Sequence, residues 1–349
     1  MPPMRRAPCP ALGLVCLCLL ASGSLLVAGC GGGDSTTSHV NPDAESGKSR
    51  PAPPKSAFPS AKGKTLRELI NEPGNHHAQV KIDAEAQVFY PGPNRYPFTI
   101  AEKGAAGETG AEIPDAEAAI YYAKVPRIKP GAKSKAGNKG MVGKAQSRAL
   151  DLPAVGPFPA RIESLATKPR FQSKITTEDP DVASVVYSTS LNLLPKGEYR
   201  PAIFIKEKDG VGTKLLPSIK VGEYEKIPRP GDKAPLIGSP ATYKEALGKE
   251  PILLLFATPQ FCQSRVCGPV VDVAQQAQHE FGGKANFIHM EIYNDNDPSK
   301  GVRPQVRRFH LPTEPWLFAI NREGVVSATV EGAFGTKLMD KIVEKVVGE

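Results

Sequence analysis

The sequence predicts two folded modules in series behind an unfolded leader: an all-β module over residues 64–226 and an α/β layer over residues 227–349. Three observations point there. Short β-branched and aromatic runs, broken by Pro and Gly turns, fill the middle of the chain. From Ile227 the pattern changes to strands alternating with apolar stripes at helical spacing. Before residue 64 there is no periodic apolar pattern beyond one run near the N-terminus. A length of 349 residues suits two domains with linkers. Proline (35) and glycine (33) exceed the usual combined share of about 12% but stay below the roughly 25–30% of low-complexity chains. That much proline excludes a long helical bundle. Six cysteines are too few for a disulfide-rich scaffold. Cys9, Cys16, Cys18 and Cys30 crowd the start, leaving Cys262 and Cys267 for everything else.

Residues 1–29 read as a signal peptide. Arg5 and Arg6 precede an apolar run from Ala11 to Ala28, too short to read comfortably as a permanent membrane span. The run ends in Val27-Ala28-Gly29-Cys30 and resembles a bacterial lipobox. The resemblance implies cleavage before Cys30 and acylation of that cysteine, with the chain held on the extracytoplasmic face of the cell membrane, where disulfides persist. An ordinary signal peptide with an incidental cysteine is the plain alternative. Residues 30–63 are mostly Gly, Ser, Pro, Lys and Asp and are expected to form a disordered tether. Thr65–Ile70 is expected to be one short helix.

Strands are expected at residues 78–82, 86–90, 96–100, 119–123, 160–165, 184–193, 200–206 and 217–221, with a turn at Pro91-Gly92-Pro93-Asn94. This count and spacing suggest a sandwich. Pro195-Lys196-Gly197-Glu198-Tyr199 before a strand resembles the late strands of immunoglobulin-like domains, where a tyrosine at a corner bonds back to the chain. Residues 124–150 interrupt this module. Between Glu117 and Asp151 lie eight basic residues (Lys124, Arg127, Lys129, Lys133, Lys135, Lys139, Lys144, Arg148) and no acid, which equals the whole formal charge of +8. The stretch reads as a mobile loop, solvated or in contact with an anionic surface. It has few aromatics to stack bases, which argues against nucleic acid. His76-His77 reads as a solvated polar loop.

In the C-terminal module, strands are expected at 252–256, 285–291, 316–320 and 325–330, and helices at 270–281 and 336–347. Val270, Val273, Ala274 and Ala277 form one apolar stripe; Leu338, Ile342, Val343 and Val346 form another. Cys262 and Cys267 stand between the first strand and the first of these helices. A helix N-terminus stabilises a thiolate there, and Arg265 adds a positive charge between the two sulfurs.

Four features of this module resemble the thioredoxin-like superfamily, and within it the membrane-anchored extracytoplasmic thioredoxins of the TlpA/ResA kind. They are Gly231-Asp232-Lys233-Ala234-Pro235, Phe256-Ala257-Thr258, the cysteine pair, and Pro315-Trp316 running to the turn at Asn321-Arg322-Glu323-Gly324. The resemblance covers residues 227–349. It implies a cis peptide at Glu314–Pro315, with Pro315 facing the cysteines, and thiol–disulfide exchange with a protein partner of the cell envelope. Cys262, nearer the strand end, would attack and Cys267 would resolve, or the reverse, since Cys267-Gly268-Pro269 matches the start of the family's motif with Val270 in place of its second cysteine; Arg265 would depress a thiol pKa. The departures are specific. Four residues separate the cysteines where the family has two, Leu255 stands where cytoplasmic thioredoxins bury an acid, and Phe261 replaces the usual tryptophan.

A second reading therefore stands beside the first: a non-enzymatic envelope scaffold or binding protein with a structural Cys262–Cys267 disulfide. Closing so short a loop stabilises a fold by about 2 kcal/mol in the chain-entropy picture. Other chemistries fit poorly. Pro259 and Ser264 stand three residues before the cysteines, where a peroxiredoxin needs threonine. A copper site of Cys262, Cys267 and His310 has unsuitable spacing. Asn294–Pro298 lacks the glycine and glutamate of a calcium loop. No motif calls for a cofactor or a metal.

Overall fold

The computed structural model describes residues 47–104, 109–127, 137–179, 181–262 and 264–349. The leader, Cys30, the start of the tether and residues 128–136 lie outside them. Among the described residues no helix is long and apolar enough to cross a membrane.

The first module is built from β1 (Asn75–His77), β2 (Val80–Ala84), β3 (Gly92–Lys103), β4 (Thr109–Glu112), β5 (Ala118–Lys124), β6 (Val155–Pro159), β7 (Arg161–Ser164), β8 (Val185–Leu193), β9 (Glu198–Glu207), β10 (Gly210–Leu215) and β11 (Ile219–Lys220). One sheet runs β2-β3-β8-β7 with β4 beside β3; the other runs β1-β10-β9-β5-β6 with β11 beside β9. Every pairing is antiparallel except β1 with β10. The sheets face each other across Phe98, Ile100 and Tyr187 from one and Ile120, Ile203 and Ile205 from the other. The corner tyrosine behaves as its position suggested, with Tyr199 Oη donating to the Pro195 carbonyl at 2.5 Å. The immunoglobulin-like resemblance rests on that corner alone.

Several expectations are corrected. Residues 91–94 are not a turn before a strand, since β3 already begins at Gly92. Its first half pairs only with β8, an edge position that tolerates Pro93 and Pro97. Ala86–Tyr90 is not a strand; it runs as a connecting segment with a single bridge from Phe89 to Val221. Strands β4, β6 and β10 escaped notice because glycine and proline break their apolar patterns. His76 sits in β1, not a loop, and its Nε2 lies 2.5 Å from Glu207.

Residues 47–63 do not belong to a disordered tether. Residues 47–63 are packed: Arg50 pairs with Ile162, and Phe58 and Ala61 are buried with Leu66 and Leu69 of α1 (Leu66–Ile70). They cover the outer face of β5 and β9, at Ala119, Tyr121, Ala123 and Phe204. This explains why β5 is apolar on both faces, a pattern of strands covered twice. Thr65 closes a capping box with Glu68 at the start of α1. The second half of the basic insertion is not a loop either. It forms α2 (Gly137–Ala149), whose Ala145 and Ala149, one turn apart, bury against Val125.

After α3 (Lys174–Glu178), the C-terminal module adds α4 (Ala241–Ala246), β12 (Ile252–Phe256), α5 (Cys267–Phe281), β13 (Asn286–Met290), α6 (Pro304–Arg308), β14 (Trp316–Ile320), β15 (Val326–Glu331) and α7 (Thr336–Gly348). The sheet order is β13-β12-β14-β15. β12 is parallel to β13 and antiparallel to β14, which is antiparallel to β15. That order, with a helix linking the two parallel strands and another after β15, is the arrangement the thioredoxin resemblance implies. Period-two alternation divides β12 between two cores. Leu253 and Leu255 pack under α5 and α7, while Ile252, Leu254 and Phe256 meet α4 and Phe309 on the other face.

The modules interlock within one compact unit. Leu165, Ala183 and Val186 of the first join the α5/α7 core, and Val88 joins the opposite core. The packing of residues 47–63 is tested by Phe58→Ala. Deleting this buried ring is expected to lower unfolding free energy by about 3 kcal/mol in denaturant titrations. A change within about 0.5 kcal/mol would mark an unattached tether.

Candidate functional site

Cys262 and Cys267 are joined in a disulfide, with Cα atoms 6.1 Å apart, inside the range a relaxed bridge needs. The four intervening residues thus close without opening β12 or α5. The two sulfurs have unlike surroundings. Cys267 is the first residue of α5 and is 1% exposed. Cys262 lies in the preceding loop, is half-buried, and opens on a cleft of about 940 Å³ between the modules. Phe261 stands beside it, edge-on to Tyr293. The hydroxyl of Ser264 lies 3.4 Å from Cys262 Sγ and 3.9 Å from Cys267 Sγ, so it reaches both.

The peptide between Glu314 and Pro315 is cis, as the resemblance implied, and Glu314 lines the cleft with Cys262. Its carboxylate accepts from the Thr258 N–H at 2.6 Å, which ties the end of β12 to the segment before β14. Arg265 is tied to the first module. Its guanidinium bonds to the Asp181 carbonyl and carboxylate, and its own carbonyl accepts from Ala183 N–H at 2.9 Å. These contacts fasten the cysteine loop to the segment leading into β8.

That same segment lies along α5. Ser173 N–H donates to the Asp272 carboxylate at 3.1 and 3.2 Å. Lys168 N–H donates to Gln276 Oε1 at 2.8 Å, and Lys168 Nζ to Glu280 at 2.6 Å. Glycine at position 268 leaves room for Ile175 and Thr176 of α3, which a Cβ would press at 3.2–3.3 Å.

On the other side of the cysteines the modules meet through a carboxylate. Glu331, the last residue of β15, accepts from Gln87 and Val88 N–H, both at 2.9 Å, and from Thr313 Oγ1 at 2.6 Å. Trp316 Nε1 donates to the same Thr313 hydroxyl. The Arg95 guanidinium donates to the Ala333 carbonyl at 2.6 Å and to Glu163 at 3.1 Å. Gly332 has φ +75°, and a Cβ there would fall on the Glu85 carbonyl oxygen, so only glycine allows the approach. These contacts bring Glu85, 7% exposed, to the cleft, where it shares the wall with Ser264 and its carboxyl meets Thr99 Oγ1 at 3.5 Å.

The site therefore holds two groups the sequence did not single out, Ser264 and Glu85. Ser264 drew notice only as a failed peroxidase match. Glu85, between Ala84 and Ala86, is an acid in a small-residue stretch, and its local sequence carries no sign of where the chain takes it. Burial pushes the carboxyls of Glu85, Glu314 and Glu331 up to about 7. Leu255, in the position where an acid was looked for, is packed among apolar side chains. Among the described residues no three His, Cys, Asp or Glu side chains converge as a metal site.

No protein-family model matches the sequence, and no curated protein matches it. Among solved structures, the chain is similar to a thiol:disulfide interchange protein of the thioredoxin family from Chlorobium tepidum TLS. The identity is 17%, over 36% of this chain and 100% of that one, with a TM-score of 0.26. It is also similar to a thioredoxin-like protein solved in its oxidised form, at 15% identity over 35% of this chain and 96% of that one, again with a TM-score of 0.26. Those scores add nothing to the strand order, the cis-proline and the cysteine pair, which are what make the C-terminal module thioredoxin-like.

The three raised carboxyls give a pH dependence of defined sign. Each holds its proton in the folded chain to about 7, whereas an unfolded glutamate releases it near 4.5. The folded state is therefore favoured at low pH and loses that advantage as pH rises from about 4.5 to about 7. Unfolding free energy is expected to fall across this window, and Glu331→Gln to shrink the fall by about 1–3 kcal/mol. A flat profile in the wild type would contradict the assignment.

Proposed function

We propose that the protein is a thiol–disulfide oxidoreductase of the cell envelope, acting through Cys262 and Cys267 on a thiol or disulfide of a protein partner. One observation carries the proposal: within a closed disulfide at a strand–helix junction, one sulfur is open to a cleft and the other is buried. Exchange requires that asymmetry, because a partner must reach one sulfur in line with the bond while the other leaves. Cys262 is the sulfur that exchanges with the partner. Cys267, at the N-terminus of α5, is the leaving and resolving thiol, and the helix N–H groups stabilise its thiolate. Pro315 flanks the site and positions the mixed disulfide. Arg265 acts by holding the loop to Asp181.

The leader supports a lipid anchor at Cys30 and an extracytoplasmic location, which gives the pair an oxidising compartment to work in. The reading of the bridge as purely structural draws on the fastening of the loop to Asp181 and Ala183. It leaves the opening of Cys262 to the cleft without a role.

Single-cysteine variants separate the two sulfurs. In Cys267→Ser the remaining Cys262 is expected to form a mixed disulfide with an aromatic disulfide reagent about 100-fold faster than Cys267 does in Cys262→Ser, since access controls the rate. Equal rates, or two inert thiols in folded protein, would contradict the assignment.

A further inference from the structure

Opening a buried disulfide creates a thiolate that needs a proton, and closing it requires that the proton be removed. Cys267 is 1% exposed, so water is poorly placed to do either. Ser264 Oγ is the hydroxyl that reaches both sulfurs, and it stands close enough to the Glu85 carboxyl to favour its ionised form. Glu85 comes from the first module, is itself buried, and shares the cleft with Cys262 and Ser264.

We infer that Ser264 and Glu85 form a proton path to the Cys262–Cys267 disulfide, so that the β module supplies an ionisable group to the chemistry of the C-terminal one. The inference rests on the exchange activity proposed above. A partner thiolate attacks Cys262 Sγ, forming a bond from its sulfur to Cys262. The Cys262–Cys267 bond breaks, and its electron pair leaves on Cys267 Sγ. Ser264 Oγ–H passes its proton to that sulfur and takes one from the Glu85 carboxyl. In the reverse direction the Glu85 carboxylate recovers the proton through Ser264, and the Cys267 thiolate attacks Cys262 Sγ and releases the partner thiolate. To complete the exchange, a second partner thiolate attacks the partner sulfur of the mixed disulfide and Cys262 leaves as a thiolate, so two electrons pass from the partner's two thiols to the pair, the partner leaves as a disulfide, and no further oxidant is needed. Ser264 is the catalytic residue, since it touches the reacting sulfurs, and Glu85 is a positioning residue that acts through it.

The charged groups around Glu85 are Asp83 of its own segment and Arg95 of β3, with Glu314, Glu223 and Lys220 on the cleft walls. Burial and Asp83 favour the protonated form, and Arg95 opposes them. The carboxyl titrates at about 7, where it can both give and take a proton.

The test is the rate at which dithiothreitol opens the disulfide of the folded full-length protein between pH 5.5 and 8.5, read by alkylation and mass spectrometry and referred to the dithiothreitol thiolate. In the wild type this rate constant is expected to fall as pH passes through about 7. In Glu85→Gln and Ser264→Ala it is expected to be about tenfold or more slower at pH 6 and flat with pH. Ser264 is half-buried in a loop, so Ser264→Ala carries the test if Glu85→Gln fails to fold. Wild-type rates and the wild-type profile in the folded variants would overturn the proton path while leaving exchange intact. A wild-type disulfide that dithiothreitol does not open in the folded state would overturn both.

Discussion

Glu331 accepts the backbone N–H groups of Gln87 and Val88, and through this grip the site comes to exist. The carboxylate ends β15 of one module and holds the segment between β2 and β3 of the other. Gly332 then lets the Glu85 backbone approach to contact, and Arg95 closes the seam on the Ala333 carbonyl. Remove these contacts and Glu85 has no reason to stand near Ser264. The cleft beside Cys262 would lose one of its two walls. The seam is costly to build, since it buries three carboxyls and a guanidinium, and burial of such groups is tolerated only where hydrogen bonds answer them.

The second fastening lies on the opposite side of the disulfide. The segment from Leu165 to Ala183 runs along α5, bonds to Asp272, Gln276 and Glu280, and holds Arg265 through Asp181. The cysteine loop is thus clamped at its middle and open at its start. This accounts for the unequal sulfurs in a loop with four residues between the cysteines. Extra length alone would leave both cysteines mobile and exposed. Fixing Arg265 buries Cys267 at the helix start and leaves Cys262 facing the cleft.

Much of this was legible in the chain, and the exceptions have a common cause. The unbroken apolar run Ile252–Phe256, the stripe at Val270, Val273 and Ala277, and the proline before Trp316 are local patterns, and each element formed where its pattern placed it. Tyr199 likewise found its corner four residues back. The tether failed at residues 47–63 because its few apolar residues, Phe58 and Ala61, are buried only by the outer face of β5. The continuous apolar run at Ala118–Ala123 was the available sign that something covers both sides of that strand. In the basic insertion, charge hid the one-turn spacing of Ala145 and Ala149. Arg265 was read from its place between the cysteines, which gave no sign of its bond to the distant Asp181. Glu85, Glu331 and Ser264 gain their roles only from contacts between modules, which periodicity within a segment cannot report.

The function turns on whether the Cys262–Cys267 bond is an exchanging disulfide or a fixed staple. The most direct measurement is its reduction potential in the folded full-length protein, equilibrated against thiol–disulfide buffers. Exchange predicts a value above about −300 mV, in the range of known oxidoreductases. A value well below about −300 mV, with no exchange with a dithiol, would make the bridge structural and contradict the account.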